Sequence, residues 1–86
     1  MTLAFVFVNC TLDTGANVEK AVANVEGVLE TYSTTGIYDL VLKVQAADEI
    51  KLQEVIKGIK GIQGVASTLT SIIYKSDSLA LDRITV

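Results

Sequence analysis

The chain has 86 residues, a formal net charge of −3, a single cysteine and no histidine or tryptophan. That length allows one domain with one thin core, and a lone Cys10 excludes an intrachain disulfide and a cysteine-rich metal site. Without histidine, Ser-His-Asp and Cys-His catalysis, haem ligation by imidazole and most zinc sites are removed together.

Leu3–Cys10 is apolar at nearly every position and rich in Val and Phe, which predicts a strand buried on both faces. It is far shorter than the ~20 residues of a membrane span. It also lacks the basic flank of a targeting segment and is cut by Asn9. Asp13 or Thr14 then caps a helix over about 16–25, with Val18, Ala21, Val22 and Val25 on one face and Gly27 as the stop. Val28–Thr35 alternates, Glu30, Tyr32 and Thr34 against Leu29, Thr31 and Ser33, and is polar enough for a sheet edge. Gly36 turns the chain. Tyr38–Gln45 follows as a strand with Tyr38, Leu40, Leu42 and Val44 on one face and Asp39, Val41, Lys43 and Gln45 on the other. Asp48 caps a second helix, Glu49–Lys60, whose apolar positions are Leu52, Val55, Ile56 and Ile59. After Gly61 and Gly64, Val65–Tyr74 is the last core strand. The remaining tail carries Leu79, Leu81, Ile84 and Val86.

The order β-α-β-β-α-β contains an internal repeat. Val22-x-x-Val25-Glu26-Gly27-Val28-x-x-Thr31 matches Ile59-x-x-Ile62-Gln63-Gly64-Val65-x-x-Thr68, displaced by 37 residues throughout. Two interleaved βαβ units with right-handed crossovers give a ferredoxin-like α+β sandwich. Its four-stranded antiparallel sheet runs in the order 4-1-3-2, with both helices on one face. The first strand, however, is apolar on both sides, with Leu3, Phe5 and Phe7 opposite Ala4, Val6, Val8 and Cys10. The uncovered face exceeds what soluble monomers usually expose. Hiding about 600 Å² of it contributes on the order of 15 kcal/mol before association costs, so a dimer packed through sheet faces is expected.

Partners and compartment follow from charge and sulfur. The seven basic residues are scattered along the chain, and Lys51, Lys57 and Lys60 are interleaved with Asp48, Glu49 and Glu54. Direct nucleic-acid binding, which begins with a basic stripe, is therefore not expected. One thiol in an apolar run suits a reducing cytoplasm, with Cys10 as inert packing. No cofactor is implied.

Candidate site residues come from the turn and the last strand. Gly36 supplies the positive φ of a turn, and its missing Cβ lets a backbone N–H approach a ligand carboxylate. Asp39 either bonds backbone N–H groups at the hairpin or accepts from a ligand ammonium. Thr68 and Thr70 are either β-branched strand residues or hydroxyl partners for a polar ligand. Asp39 and Tyr38 do not make an acid–base pair, since strand neighbours point to opposite faces.

These residues carry a family resemblance. Thr34-Thr35-Gly36-Ile37-Tyr38-Asp39-Leu40-Val41-Leu42-Lys43-Val44, followed by Ala47-Asp48, resembles the signature of the Lrp/AsnC ligand-binding (RAM) domain. Gly61-Ile62-Gln63-Gly64-Val65-x-x-Thr68-x-Thr70-x-Ile72-Ile73 is similar to that family's last strand. The likeness covers about residues 3–75, which gives a domain over 1–75 and a tail over 76–86 that docks on a neighbouring subunit. It implies a dimer with αβ-barrel-like packing that assembles into octamer or decamer rings, and an amino-acid effector held between dimers near the hairpin turn. Thr35, Gly36, Ile37, Tyr38, Asp39, Thr68 and Thr70 are then the ligand-binding candidates. Full-length members carry a helix-turn-helix domain ahead of this region, whereas here the sheet begins at Leu3. The expectation is a stand-alone, non-enzymatic sensor in the cytoplasm that modulates full-length Lrp/AsnC transcription regulators. Two alternatives are a small dimeric ferredoxin-like enzyme of the monooxygenase or isomerase kind, marked by a roomy pocket between sheet and helices, and an ACT-like regulatory subunit assembled through sheet edges.

Overall fold

The alternation of the first strand decides the architecture. In the computed structural model, which describes residues 1–74, Ala4, Val6 and Val8 are fully buried, while Leu3, Phe5 and Phe7 stand on the other side of the same strand. The elements are β1 (Thr2–Cys10), α1 (Gly15–Ala23), β2 (Val28–Ser33), β3 (Leu40–Ala46), α2 (Glu49–Lys60) and β4 (Val65–Ile73). One antiparallel sheet has the order β2-β3-β1-β4, the expected 4-1-3-2 read from its other edge. The fold is ferredoxin-like α+β. The tail 76–86 lies outside the described residues.

Both helices cover one face. Val18 and Val22 from α1 and Leu52, Ile56 and Ile59 from α2 share a cluster with Ala4, Val6 and Val8 of β1 and Leu40, Leu42 and Val44 of β3. Every member is at most 5% exposed. Burying each such aliphatic side chain contributes about 1.5–3 kcal/mol, and among the described residues no polar side chain shares that core.

Local signals explain the helix ends. Asp48 has extended backbone, and its Oδ1 accepts from the Lys51 N–H at 2.8 Å. Glu49 sits at the positive end of α2 and Lys57 and Lys60 at the negative end, each placed favourably in the helix dipole. The α2 boundaries agree with those read from the sequence. α1 is shorter than expected. Its N-cap is Thr14, but that hydroxyl donates to the Thr11 carbonyl at 2.7 Å instead of capping the helix. At the other end the Asn24 and Val25 N–H groups bond back to the Ala21 and Val22 carbonyls, at 3.2 and 3.1 Å, closing the helix.

The internal repeat survives in three dimensions. Gly27 and Gly64 have φ of 100° and 103°, and their carbonyls accept from Gln45 and Thr11 N–H groups, each at 2.8 Å. Each glycine thus turns a helix into a strand and starts that strand's ladder.

Two details depart from simple alternation. Tyr38, expected to share a face with Leu40, precedes β3, and its ring lies 5.3 Å from that of Phe7 on the helix-free face. The turn before Leu40 breaks the two-residue period, freeing Tyr38 to cover a neighbouring aromatic. In β2 the register shifts between Val28 and Glu30, and this bulge leaves Leu29 half exposed.

A Cβ at position 64 would lie 2.7 Å from Val18 Cγ2, whereas one at Gly36, with φ of 110°, would meet nothing within 4 Å. We therefore expect Gly64→Ala to destabilise by roughly 2–4 kcal/mol, combining backbone strain with overpacking. Gly36→Ala carries backbone strain alone, about 1 kcal/mol. Urea unfolding of the two variants checks the difference; equal losses would refute the packing component.

Candidate functional site

The β2–β3 turn is fastened at its base and open at its tip. The Thr34 N–H donates to the Asp39 carbonyl at 2.9 Å, and Thr34 Oγ1 donates to the Tyr38 carbonyl at 2.7 Å. Asp39 ties this base to the middle of the sheet. Its N–H donates to the Val8 carbonyl at 3.0 Å, and its Oδ2 accepts from the Cys10 N–H at 2.7 Å. Cys10 lies where the β1–β4 register shifts, so Asp39 takes up a backbone donor at that irregularity. Beyond this base Thr35, Gly36 and Ile37 are exposed, Ile37 by 83%.

A cleft of about 400 Å³ opens beside Asp39. Its walls are the end of β1 with the following loop (Cys10–Asp13), the first turn of α1 (Gly15, Ala16, Glu19) and the hairpin base (Ser33, Thr34, Asp39, Leu40). The α1 N-terminus has no acidic residue in its first turn and no side-chain cap, so unpaired N–H groups and the helix dipole favour a negative group there. Across the cleft Asp39 favours a positive one. The same lining also carries Asp13 and Glu19, so the cleft presents three carboxylates, with the α1 N-terminus as its positive pole.

The candidates are divided by the sheet. Asp39 borders the cleft, and the exposed tip residues Thr35, Gly36 and Ile37 adjoin its base. Thr68 and Thr70 pair with Val8 and Val6, half-buried on the helix side of β4. One strand, β1, separates them from Asp39, which is two strand spacings or about 10 Å. A single chain does not bring them into the cleft. Ser33, Thr34 and the first turn of α1 line it without having been singled out from the sequence; the turn-rich Thr11–Gly15 stretch was the available signal.

Chemically the cleft binds better than it reacts. Burial, and then the nearby Asp39 charge, push the Cys10 thiol above its ordinary value, so at neutral pH it stays protonated and weakly nucleophilic. Among the described residues no group of three or more metal-ligating side chains is close enough to hold an ion. No described helix is long and apolar enough to cross a membrane. A second, larger opening of about 790 Å³ lies at the opposite end of the sheet, between Val25–Gly27, Gln45–Ala47 and the start of α2. It carries the Lys51–Glu54 ion pair at 3.5 Å and none of the candidate residues.

Residues 3–78 match the family of the Lrp/AsnC ligand binding domain. Among solved structures, TTHA0845 from Thermus thermophilus superposes with a TM-score of 0.85 and 33% identity, over 90% of this chain and 98% of that one. AsnC from E. coli gives 0.81 and 26%, covering 87% of this chain and 52% of the regulator. The feast or famine regulatory protein Rv3291c from M. tuberculosis, complexed with L-methionine, gives 0.75 and 26%, over 88% and 52%. Among curated sequences, a homocitrate synthase of Sulfolobus acidocaldarius is 36% identical over 74 residues, 85% of this chain. The chain spans only 16% of that synthase's length.

The Asp39–Cys10 geometry can be tested by thiol chemistry. Asp39→Asn retains an acceptor for the Cys10 N–H but removes the charge that helps raise the thiol, while burial persists. Thiolate should then form at lower pH, so the pH profile of reaction with a disulfide reagent moves down. Asp39→Ala also loses the hydrogen bond, at about 1 kcal/mol of stability. An unchanged profile in Asp39→Asn would contradict the electrostatic link.

Proposed function

The chain belongs to the Lrp/AsnC ligand-binding-domain family, and from that premise we propose that it is an amino-acid-sensing regulatory module. A free amino acid binds at the hairpin base and biases the assembly of subunits. The observation that carries this reading is Asp39, fixed to the backbone of β1 and bordering a cleft with a helix N-terminus on its far side. In our reading Asp39 attracts the ligand ammonium, and backbone donors around Gly36 and the first turn of α1 take the carboxylate. Thr35, Ile37 and Tyr38 shape the side-chain end. Thr68 and Thr70 join from a neighbouring subunit, consistent with an effector held between dimers.

The helix-free sheet face is the natural surface for a second copy. It carries Leu3, Phe5 and Phe7 from β1, Val41 from β3, and Leu69 and Ile73 from β4. Phe5 and Leu69 are 37% and 50% exposed. Regulation is favoured over catalysis because, among the described residues, the space between sheet and helices is filled by apolar side chains. Assembly beyond the dimer, into octamer or decamer rings, belongs to the same proposal. So does action on a full-length Lrp/AsnC regulator. The synthase similarity supports a second reading, a biosynthetic enzyme as the module's target, because a similar segment sits within an enzyme chain. Measuring regulator–DNA binding and synthase activity with added module separates the two.

Thermal-shift and calorimetric titration with the twenty amino acids tests the ligand reading. A cognate ligand at one hundred times its Kd stabilises by about 2.7 kcal/mol, and Asp39→Ala should weaken it roughly tenfold or more. No response to any amino acid at millimolar concentration would refute it. Light scattering tests the assembly: the protein should run at a multiple of its 9.2 kDa, and Phe5→Asp should shift it towards the monomer.

A further inference from the structure

The opening of about 790 Å³ at the far end of the sheet from Asp39 has an apolar floor and a charged rim. Val25, Ala46 and Val55 line it and are partly buried against the main core. Gly27 lets the floor close tightly, since a Cβ there would lie 2.9 Å from both the Gln45 carbonyl oxygen and Val55 Cγ2. Glu26, Lys51 and Glu54 stand around the rim. The last strand ends at this side of the molecule. Ile73 pairs with Leu3 and Leu3 with Gln45, and the Gln45 N–H donates to the Gly27 carbonyl at 2.8 Å. One row across the sheet therefore leads from the end of β4 to the groove. We propose that residues 79–86 of the same chain fill it, with Leu79 and Leu81 on the apolar floor and Arg83 at the acidic rim.

Reach permits this. β4 lies two strand spacings from β3, about 10 Å, whereas an extended chain from Tyr74 to Leu79 spans up to about 17 Å. Composition favours it. Ser76-Asp77-Ser78 is polar, and apolar residues return at Leu79, Ala80, Leu81, Ile84 and Val86, once that distance has been covered. Such side chains gain in proportion to the apolar area they remove from water, and Val25, Ala46 and Val55 offer an apolar surface within reach. Charge agrees as well. The rim sets two carboxylates against the single ammonium of Lys51, which already lies 3.5 Å from Glu54, and Arg83 is the one cation carried by residues 79–86. Attachment to the same chain holds the segment at an effective concentration on the order of millimolar, so its own groove is filled ahead of a neighbouring copy's at micromolar protein. The family match ends at residue 78, so the occupant lies beyond the shared domain, and its docking is independent of the cleft beside Asp39.

Disulfide crosslinking in the full chain tests the placement. Cys10→Ser removes the native thiol, and Ala80→Cys is then combined either with Ala47→Cys at the groove or with Leu12→Cys, an exposed position at the opposite end of the sheet. Under mild oxidation the pair that includes Ala47→Cys should close within one chain roughly tenfold or more faster than the pair that includes Leu12→Cys, at a rate independent of protein concentration. Equal rates for the two pairs, or a product that is chiefly a covalent dimer, overturn the proposal. Thermal unfolding gives a second readout that needs no introduced thiol. Leu79→Asp together with Leu81→Asp should lower the midpoint by roughly 5 °C or more, while Thr85→Asp should leave it close to that of the wild type. A double variant that melts with the wild type overturns the proposal even where the disulfide forms.

Discussion

The structure is governed by an imbalance of cover: β1 and β3 carry apolar side chains on both faces, and α1 and α2 lie on only one of them. The choice of side chains follows the imbalance. Under the helices β1 places Ala4, Val6 and Val8, small enough for Val18, Leu52 and Ile59 to reach the sheet and leave every one of them without solvent contact. On the other face the same strand places Leu3, Phe5 and Phe7. Bulky aromatics there do not serve the subunit's own core, and Phe5 remains 37% exposed. The apolar area left over is the part of the surface whose burial would gain most.

Asp39 connects that sheet to the ligand-binding hypothesis. A hairpin base held only by its own ladder would be free to twist relative to β1. Here the Asp39 N–H and carboxylate both bond the β1 backbone, at Val8 and Cys10, so the turn is positioned from the most buried strand. The exposed tip needs no such fixing and is free to meet a ligand or another subunit. The same carboxylate therefore has a structural and an electrostatic part to play, and its charge is felt by the neighbouring thiol. The two readings of Asp39 available from the sequence do not compete: one oxygen satisfies a backbone donor, and the group still faces the cleft.

Much of this was legible in the sequence because strong local signals agreed with long-range ones. Asp48 before Glu49, and Gly61 after Lys60, marked α2 at both ends, and the repeat of Gly27 and Gly64 revealed the two interleaved units. What was not legible depended on contacts between segments distant in sequence. Tyr38 follows Phe7 onto the helix-free face because the turn breaks the alternation. The bulge at Leu29 cannot be read without β3 beside it. Thr14 looks like an N-cap, but Thr11 and Gly64 compete for its hydroxyl. The cleft itself joins the end of β1, the start of α1 and the hairpin base, and only the folded chain brings those together.

The division between repeated and unrepeated sequence separates scaffold from site. The repeated parts, helix through glycine into strand, build the covered face and are interchangeable in structural role. The unrepeated parts, the Thr11–Gly15 loop and the β2–β3 turn, meet at one end of the sheet and form the cleft. A scaffold of this kind carries these cleft walls with it between proteins, because all of them come from one chain. The related segments vary widely in context: nearly the whole of the Thermus chain, about half of AsnC and a sixth of a synthase. What such a module can carry from one setting to another is limited to what it holds internally, a cleft at the hairpin base and an apolar helix-free sheet face. A signal that couples those two properties requires neither a DNA-binding domain nor an active site in the same chain.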